Sequence, residues 1–590
     1  MPTDKYKEKV VFALEAAIAS DPDFFAAGVT PLVERPRDTA HGDFSSPVAL
    51  HLAAVLKRPP EKVAEALLAL LEFPDFVLNA QIAGPGFINI RLKKESKCRV
   101  VNEILECKEN YGRLPPCHRT ILLEFVSANP TGPLHIGHGR AAAYGDSLAN
   151  ILAFAGYRVL REYYVNDHGR QADILAASVW LRHALDDAEQ MPKGGYRGQY
   201  LVKVAQAVNP DNFSAKHADF KILLTQLAEK IDEDQAADAL VAAARDSFLD
   251  TQRFTEFSRS VCEWMLNEVI RRDLKLLNVQ DFDCWFKESQ LHESGDKVFL
   301  DNVLQILRRI PDSVREDDDG SLWFCTTLLG DDKDRVICRS DGRPTYFASD
   351  VAYHYDKLSR VAADGNGGRL INILGADHHG YVGRLQSIMR AADAPPDTLQ
   401  ILLIQFVALV ENGMRVKVST RSGEFVPLTD LVDMVGADIA RYFYVSRRND
   451  QHLDFDLSLA KDKSNANPVY YIQYAHARIH SLLDKWGGDT AGLAKMETAI
   501  LSEDAAALSL CEELMDFPET IRRAADERAV HLIAAYLRRL AALTHGFYEK
   551  TAVLKSSEDK KHARLALMSA VGTVIAGGLS LLGMTAPKKM

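Results

Sequence analysis

Cysteine is sparse in this 590-residue chain: eight in all, at 98, 107, 117, 262, 284, 325, 338 and 511, with no Cys-x-x-Cys spacing. That scatter excludes a zinc ribbon and a disulfide framework, and reduced thiols in a cytosolic protein are the expectation. Positive charge is not in excess either; 70 Lys and Arg stand against 81 Asp and Glu, a net −11. A protein coated in nucleic acid is disfavoured, although a local basic track is not. Internal repeats and low-complexity tracts are absent. The opening MPTDKYKEKV is charged and lacks an apolar core, so no signal peptide is expected. One uncharged run, LALMSAVGTVIAGGLSLLGM at 565–584, has the length of a membrane span. Its glycines, serines and threonine lower its apolarity, and a buried C-terminal helix is the expectation instead.

The remainder reads as an ordinary globular composition, 47% hydrophobic and 26% charged, long enough for three or four domains. Residues 1–115 form an expected α+β module. KYKEKVVFALEAAIAS and PPEKVAEALLALLE have helical periodicity, and FVLNAQIAGPGFINIRL reads as two strands about Gly84-Pro85-Gly86. A βαβ unit is expected over about 118–170. From about 175 to 300 the chain is highly charged and mainly helical, with loops such as QMPKGGYRGQY, like an insertion into a nucleotide-binding fold. Strands resume at RLINILGADHH and QILLIQFVALV, a hairpin and loop follow to Leu428, and beyond about 455 the pattern is all helical.

The most informative stretch is SANPTGPLHIGHGR, 127–140. The apolar run ILLEFV before it suits a buried strand, and Asn129-Pro130 and Gly132-Pro133 break regular structure. The alanine- and leucine-rich residues after it suit a helix ending near Gly156, and RVLREYYV a second strand. A helix N-terminus behind such a loop is a ready anion site. His135 and His138, three apart, both face it and can donate to phosphate oxygens. Gly137 leaves room for a flat ring against the backbone. Neither GxxxxGK[ST] nor GxGxxG stands at this loop, so it is not a standard phosphate loop.

Two further clusters carry chemistry. RVKVSTRSGEF (415–425) sets Arg415, Lys417 and Arg421 among Ser419, Thr420 and Ser422, which suits the charge developing on a triphosphate. In PTYFASDVAYHYDK, Tyr346 and Asp350 lie one helical turn apart, a carboxylate with an aromatic wall for a cationic ligand. Taken singly, the histidine pair fits a solvated cap equally well, and the other two clusters fit a solvated basic turn and a helix with one exposed Asp better than a site.

Together these loops resemble the class I aminoacyl-tRNA synthetases, and within them the arginyl-tRNA synthetase family. ANPTGPLHIGHGRAA resembles its HIGH signature, YYVNDHGRQ (163–171) the segment that follows, and GADHHGYV (375–382) the second-half strand end. DLVDMVGADIARYFYVSR, YYIQYAHARIHS and GLSLLGMTAPKKM are similar to its later helical parts, and GDFSSPVAL and AGPGFINI to its N-terminal additional domain. The resemblance implies a multidomain α/β protein with four parts. These are an additional tRNA-binding domain (1–115), a Rossmann-type parallel-sheet catalytic domain (116–430) with a helical insertion (about 175–300), a connecting helical segment (431–466) and an all-α anticodon-binding domain (467–590).

It further implies an arginine–tRNA ligase, which forms arginyl-adenylate from L-arginine and ATP and transfers arginine to tRNA(Arg), releasing AMP and pyrophosphate. His135, His138, Lys417 and Arg421 would be catalytic, and His135, Gly137, His138, Ser419 and Thr420 would bind ATP. Glu124, Ser127, Asn129, Tyr346, Asp350 and Asp377 would bind arginine. Tyr471, Tyr474 and Arg478, one helical stripe, would contact the anticodon loop, where aromatic and Arg surfaces suit unstacked bases. ATP with Mg2+ would be the nucleotide substrate, with no tightly bound metal. A cytoplasmic monomer that does not engage membrane is implied. Where the family's second signature carries KMSKS, this chain reads Lys417-Val418-Ser419-Thr420-Arg421, so Thr420 replaces the second lysine. Another class I synthetase, a non-catalytic RNA-binding relative and a generic nucleotidyltransferase remain open alternatives at this stage.

Overall fold

A computed structural model describes residues 2–36, 38, 41–183, 185, 191–215, 232–362, 365, 367–416 and 426–590. The N-terminal module places helices Pro2–Ser20, Val48–Leu56 and Pro60–Leu70 beside a three-stranded antiparallel sheet. Its strands are β1 (Phe44–Ser46), β2 (Val77–Ala83) and β3 (Phe87–Leu92), in the order β1-β3-β2. The expected hairpin is present, with Ala83 opposite Phe87 across the turn. β1 carries only Phe-Ser-Ser, too short for its sequence to show alternation.

The central unit is a five-stranded all-parallel sheet. Its strands are β4 (Thr120–Glu124), β5 (Arg158–Val165) and β6 (Cys284–Lys287), followed after a small antiparallel sheet by β10 (Arg369–Gly375) and β11 (Leu399–Ile404). The small sheet comprises β7 (Val314–Glu316), β8 (Leu322–Phe324) and β9 (Arg335–Cys338). The parallel order is β11-β10-β4-β5-β6. From β4 the chain first steps outward through β5 and β6, then returns to β4's other side with β10. The crevice between the carboxyl ends of β4 and β10 is therefore the switch point where ligands bind such sheets. All of β4 is buried, which is why it reads as a continuous apolar run rather than an alternating one. The helix Ile136–Phe154 packs so tightly on it that a Cβ on Gly145 would sit 2.4 Å from the Phe125 ring.

Three expectations need correction. The stretch 175–300 is mainly helical as expected, but it does not end in the insertion: Cys284–Lys287 pairs with Glu162–Val165 as the edge strand of the parallel sheet. Four residues in a charged neighbourhood give no readable period. QILLIQFVALV is not one strand, because it breaks at Gln405-Phe406 into β11 and β12 (Val407–Glu411), which join different sheets. The segment 431–466 is not wholly helical, since β14 (Leu453–Asp456) runs parallel to β12. Between them in sequence, β13 (Met414–Arg415) closes a hairpin with β12 through Asn412-Gly413, both at positive φ as a tight hairpin turn requires.

The helices Arg170–Arg182, Tyr200–Ala207, Glu233–Ser247 and Thr251–Met265 bury a core of their own around Leu175, Trp180, Leu240 and Phe257. Beyond β14 the described chain is helical. The long members are Pro468–Trp486, Ala505–Asp526, His531–Lys550 and Glu558–Leu581. The last contains the uncharged run. It is long and apolar enough to cross a membrane, yet 67% of its most apolar window is buried among the neighbouring helices, as a core helix would be. Arg441 ties this bundle to the helix Ile136–Phe154 against the parallel sheet. Fully buried, it donates to Asp146 Oδ2 (2.7 Å), to the Leu582 carbonyl (2.6 Å) and to the Leu277 carbonyl (3.0 Å).

Candidate active site

At the end of β4 the backbone leaves the strand abruptly. Val126 and Ser127 have φ of 69° and 40°. For a β-branched residue this is strained, by about 1–3 kcal/mol, and the surroundings must hold it. Tyr164 N donates to Ser127 Oγ (3.1 Å), Tyr163 Oη to the Ala128 carbonyl (2.8 Å), and Ser127 Oγ to Glu124 Oε1 (2.9 Å). The second Glu124 oxygen pairs with the buried Lys357 ammonium, which also donates to Asn372 Oδ1 (3.0 Å). Glu124 thus stands at the base of the crevice with both oxygens engaged. Asn129, beyond the bend, is exposed and donates to Gln171 Oε1 (2.6 Å).

His135 is the N-cap of the helix Ile136–Phe154. Its Nδ1 accepts from Gly137 N (3.1 Å) and His138 N (3.3 Å), while His138 Nδ1 accepts from His135 N (3.4 Å). With both Nδ1 atoms accepting, each neutral ring carries its proton on Nε2. The rings stack 3.6 Å apart. Burial lowers both pKa values, that of His138 to about 3, so both rings are neutral donors at physiological pH. A Cβ on Gly137 would lie 3.0 Å from the His135 ring. The loop is braced from the helical insertion: Tyr200 Oη donates to the Thr131 carbonyl, and buried Asp273 accepts Leu134 N at 3.1 Å.

Asp350 and Tyr346 project from the helix Tyr346–Ala362. Tyr346 is 55% exposed and lies over Gly169, where a Cβ would meet its hydroxyl at 3.5 Å. Burial, then the nearby carboxylates of Glu288 and Glu124, push the Asp350 carboxyl up to about 7. Glu288, 3% exposed, is likewise pushed to about 7 by burial, against hydrogen bonds from Ser349 and Tyr164. Among the described residues neither Asp350 nor Glu288 has an ion-pair partner. Two carboxyls so raised, beside an exposed tyrosine, are short of one cation. Asp377 is not beside them. It is exposed at the end of β10, 3.4 Å from His378 Nε2, and its charge acts on His135.

Lys417, Ser419, Thr420 and Arg421 lie outside the described residues. The chain just after them is fixed to the histidine loop: Ile136 N donates to the Val426 carbonyl (3.1 Å) and Leu428 N to the Leu134 carbonyl (2.7 Å).

Comparison with known proteins bears on this arrangement. The family model for tRNA synthetases class I (R), catalytic domain, matches residues 100–452, most of the chain. The chain belongs to the arginyl-tRNA synthetase family. The models for the arginyl tRNA synthetase N terminal domain and the DALR anticodon binding domain match 4–92 and 472–590. The arginine–tRNA ligase of Nitrosomonas europaea is 46% identical over 574 residues, covering 95% of each chain. That of Nitrosomonas eutropha is 45% identical, covering 95% of this chain and 94% of its own. The Thermus thermophilus arginyl-tRNA synthetase structure superimposes with a TM-score of 0.72 at 25% identity, over 98% of this chain and all of that one.

In this arginyl-tRNA synthetase family member, Tyr471, Tyr474 and Arg478 do gather on one helix face. All three surround His545: the Tyr471 ring at 4.5 Å, the Tyr474 ring at 5.7 Å, and an Arg478 nitrogen 3.3 Å from Nδ1. Arg478 also lies over Tyr548, 4.4 Å from its ring centre. His545 and Tyr548 come from the helix His531–Lys550, and no local pattern marked them. Glu288 was missed for another reason. It follows β6, the strand the sequence did not reveal. Lys357 was hidden as one more charge on an amphipathic helix.

Proposed function

We infer that this chain is an arginine–tRNA ligase, and that the crevice between β4 and β10 is where it activates L-arginine. The arginine carboxylate attacks the α-phosphorus of ATP, pyrophosphate leaves, and arginyl-adenylate forms. A hydroxyl of the terminal ribose of tRNA(Arg) then attacks the carbonyl carbon and AMP leaves. The Nε2–H groups of His135 and His138 donate to phosphate oxygens as charge builds there, with Lys417, Ser419, Thr420 and Arg421 approaching from the second signature loop. Gly137 gives the adenine its place against the backbone. Asp350 and Glu288 take the guanidinium fork with Tyr346 as its wall. Ser127 and Asn129 hold the α-amino end, with Glu124 behind them, and Asp377 works on the histidine side. Magnesium enters with ATP as part of the substrate. No covalent enzyme intermediate is needed; positioning and charge carry the reaction.

The parts divide as 1–115 for additional tRNA contacts, 116–430 for catalysis, 431–466 as connector and 467–590 for the anticodon, with Tyr471, Tyr474 and Arg478 at the bases. The enzyme works as a monomer in the cytoplasm. The single observation that carries this reading is the pair of cation-short carboxyls, Asp350 and Glu288. Arginine-dependent ATP–pyrophosphate exchange, run with and without tRNA(Arg), tests it. Exchange with arginine only when tRNA is present is expected. Exchange driven by another amino acid, or none at all with tRNA bound, contradicts it.

A further inference from the structure

The segment Asn166-Asp167-His168 sits just after β5 and touches neither histidine of the phosphate loop in any bond described above. It grips another element. Asp167, 7% exposed, accepts Ser289 N at 2.9 Å and Ser289 Oγ at 2.8 Å. The Asn166 amide, in the orientation that satisfies both groups, donates to Glu288 Oε2 and to the His168 carbonyl, each at 2.9 Å. The His168 ring stacks on His292 at 4.3 Å, and His292 Nδ1 is 3.0 Å from Asp296 Oδ1. Three successive residues thus hold three of the five residues of the short helical turn Glu288–His292. That turn has no side-chain cap of its own. Its first, buried N–H groups lack a side-chain acceptor within the turn, and Asp167 accepts that of Ser289 from outside.

We propose that Asp167 is a positioning residue that sets arginine affinity by fixing the backbone on which Glu288 is mounted. The proposal rests on the reading that Glu288 and Asp350 receive the guanidinium. A carboxylate that must meet a rigid, planar donor fork loses its bonds when displaced by about 1 Å, and such misplacement weakens function up to about a hundredfold. Asn166 also meets Asn129 at 3.3 Å, but no bond of Asp167 among the described residues reaches the histidine loop, which Asp273 and Tyr200 brace at Leu134 and Thr131. Loss of the Asp167 bonds therefore falls on arginine and spares ATP.

The test is a double-mutant cycle in tRNA-dependent pyrophosphate exchange, using Asp167→Ala, Glu288→Gln and both together. Asp167→Ala is expected to raise the KM for arginine about tenfold or more with the KM for ATP within about twofold. Added to Glu288→Gln, it is expected to cost little further, because both changes remove the same contact. Fully additive effects, or equal rises in both KM values, overturn the proposal. If Glu288→Gln alone leaves the arginine KM unchanged, the underlying reading of the pocket fails instead. Should Asp167→Ala not fold, Ser289→Ala removes one of the two bonds without touching a charge. A rise in arginine KM of about threefold, again absent in the Glu288→Gln background, is then expected; no rise overturns the proposal.

Discussion

Replacing Asp350 by Asn should separate affinity, proton release and stability in one variant. The carboxyls of Asp350 and Glu288 both sit at about 7, burial being the first cause for each and Glu288 the second for Asp350. The guanidinium is always charged, so arginine binds best when both are ionised. Treated as independent sites, the doubly ionised fraction falls by about a hundredfold from pH 8 to pH 6, with a limiting slope of two. The histidines do not blur this, since burial lowers both, His138 to about 3.

Asp350→Asn removes a charge-assisted bond, worth about 1.5–3 kcal/mol or roughly 10–150-fold in arginine affinity. The charge that raises Glu288 beyond its burial is that of Asp167, not Asp350, so the remaining dependence should stay near pH 7 with a slope of one. Stability should move the other way. A carboxyl whose folded pKa is raised destabilises the fold fully above about 7, and the penalty is relieved as pH falls toward its unfolded value near 4. At pH 8 the Asn variant should be more stable than wild type by about 1–3 kcal/mol, discounted for partial exposure. Arginine titrations of the tRNA complex, in two buffers of different ionisation enthalpy, read affinity and released protons together. Unchanged slope and unchanged proton release in the variant would refute the shared acidic pocket.

Three other outcomes are expected. His138→Gln should lower the pyrophosphate-exchange rate by about 10²–10³ with little change in arginine KM, as expected for a lost donor to transition-state charge, read by steady-state kinetics. Tyr474→Ala should raise the KM for tRNA(Arg) about tenfold or more and leave those for ATP and arginine alone, in line with about 1–3 kcal/mol per stacked base. Arg441→Ala should leave buried Asp146 with only Gln280 N and the more distant Arg161 and lower stability by about 3 kcal/mol in urea unfolding monitored by far-ultraviolet circular dichroism; a change under 1 kcal/mol would show that the contact between bundle and sheet is dispensable.

Sequence reading reached what rests on local chemistry. The strand, broken loop and helix around His135 were legible because each used residues with strong local preferences, and Tyr346 and Asp350 because helical spacing put them together. Contacts made across the sheet were not legible. Glu288 becomes a partner of Asp350 only because β6 pairs with β5, and CWFK carries no periodic signal. The protonation of the two histidines was equally hidden, since it is fixed by backbone N–H groups at a helix start. Lys357 looked like surface charge until β4 and β10 closed around it. The split of QILLIQFVALV between two sheets follows from a bend at Gln405-Phe406 that apolarity alone does not mark.

The central claim is that these parts esterify arginine to tRNA(Arg), with Thr420 in place of the second signature lysine. The most direct test is to incubate the enzyme with ATP, total tRNA and all twenty amino acids, then identify by mass which amino acid is attached to which tRNA. Arginine on tRNA(Arg) alone is the expected result. Another amino acid there, or tRNA(Arg) bound but left uncharged, would contradict the account.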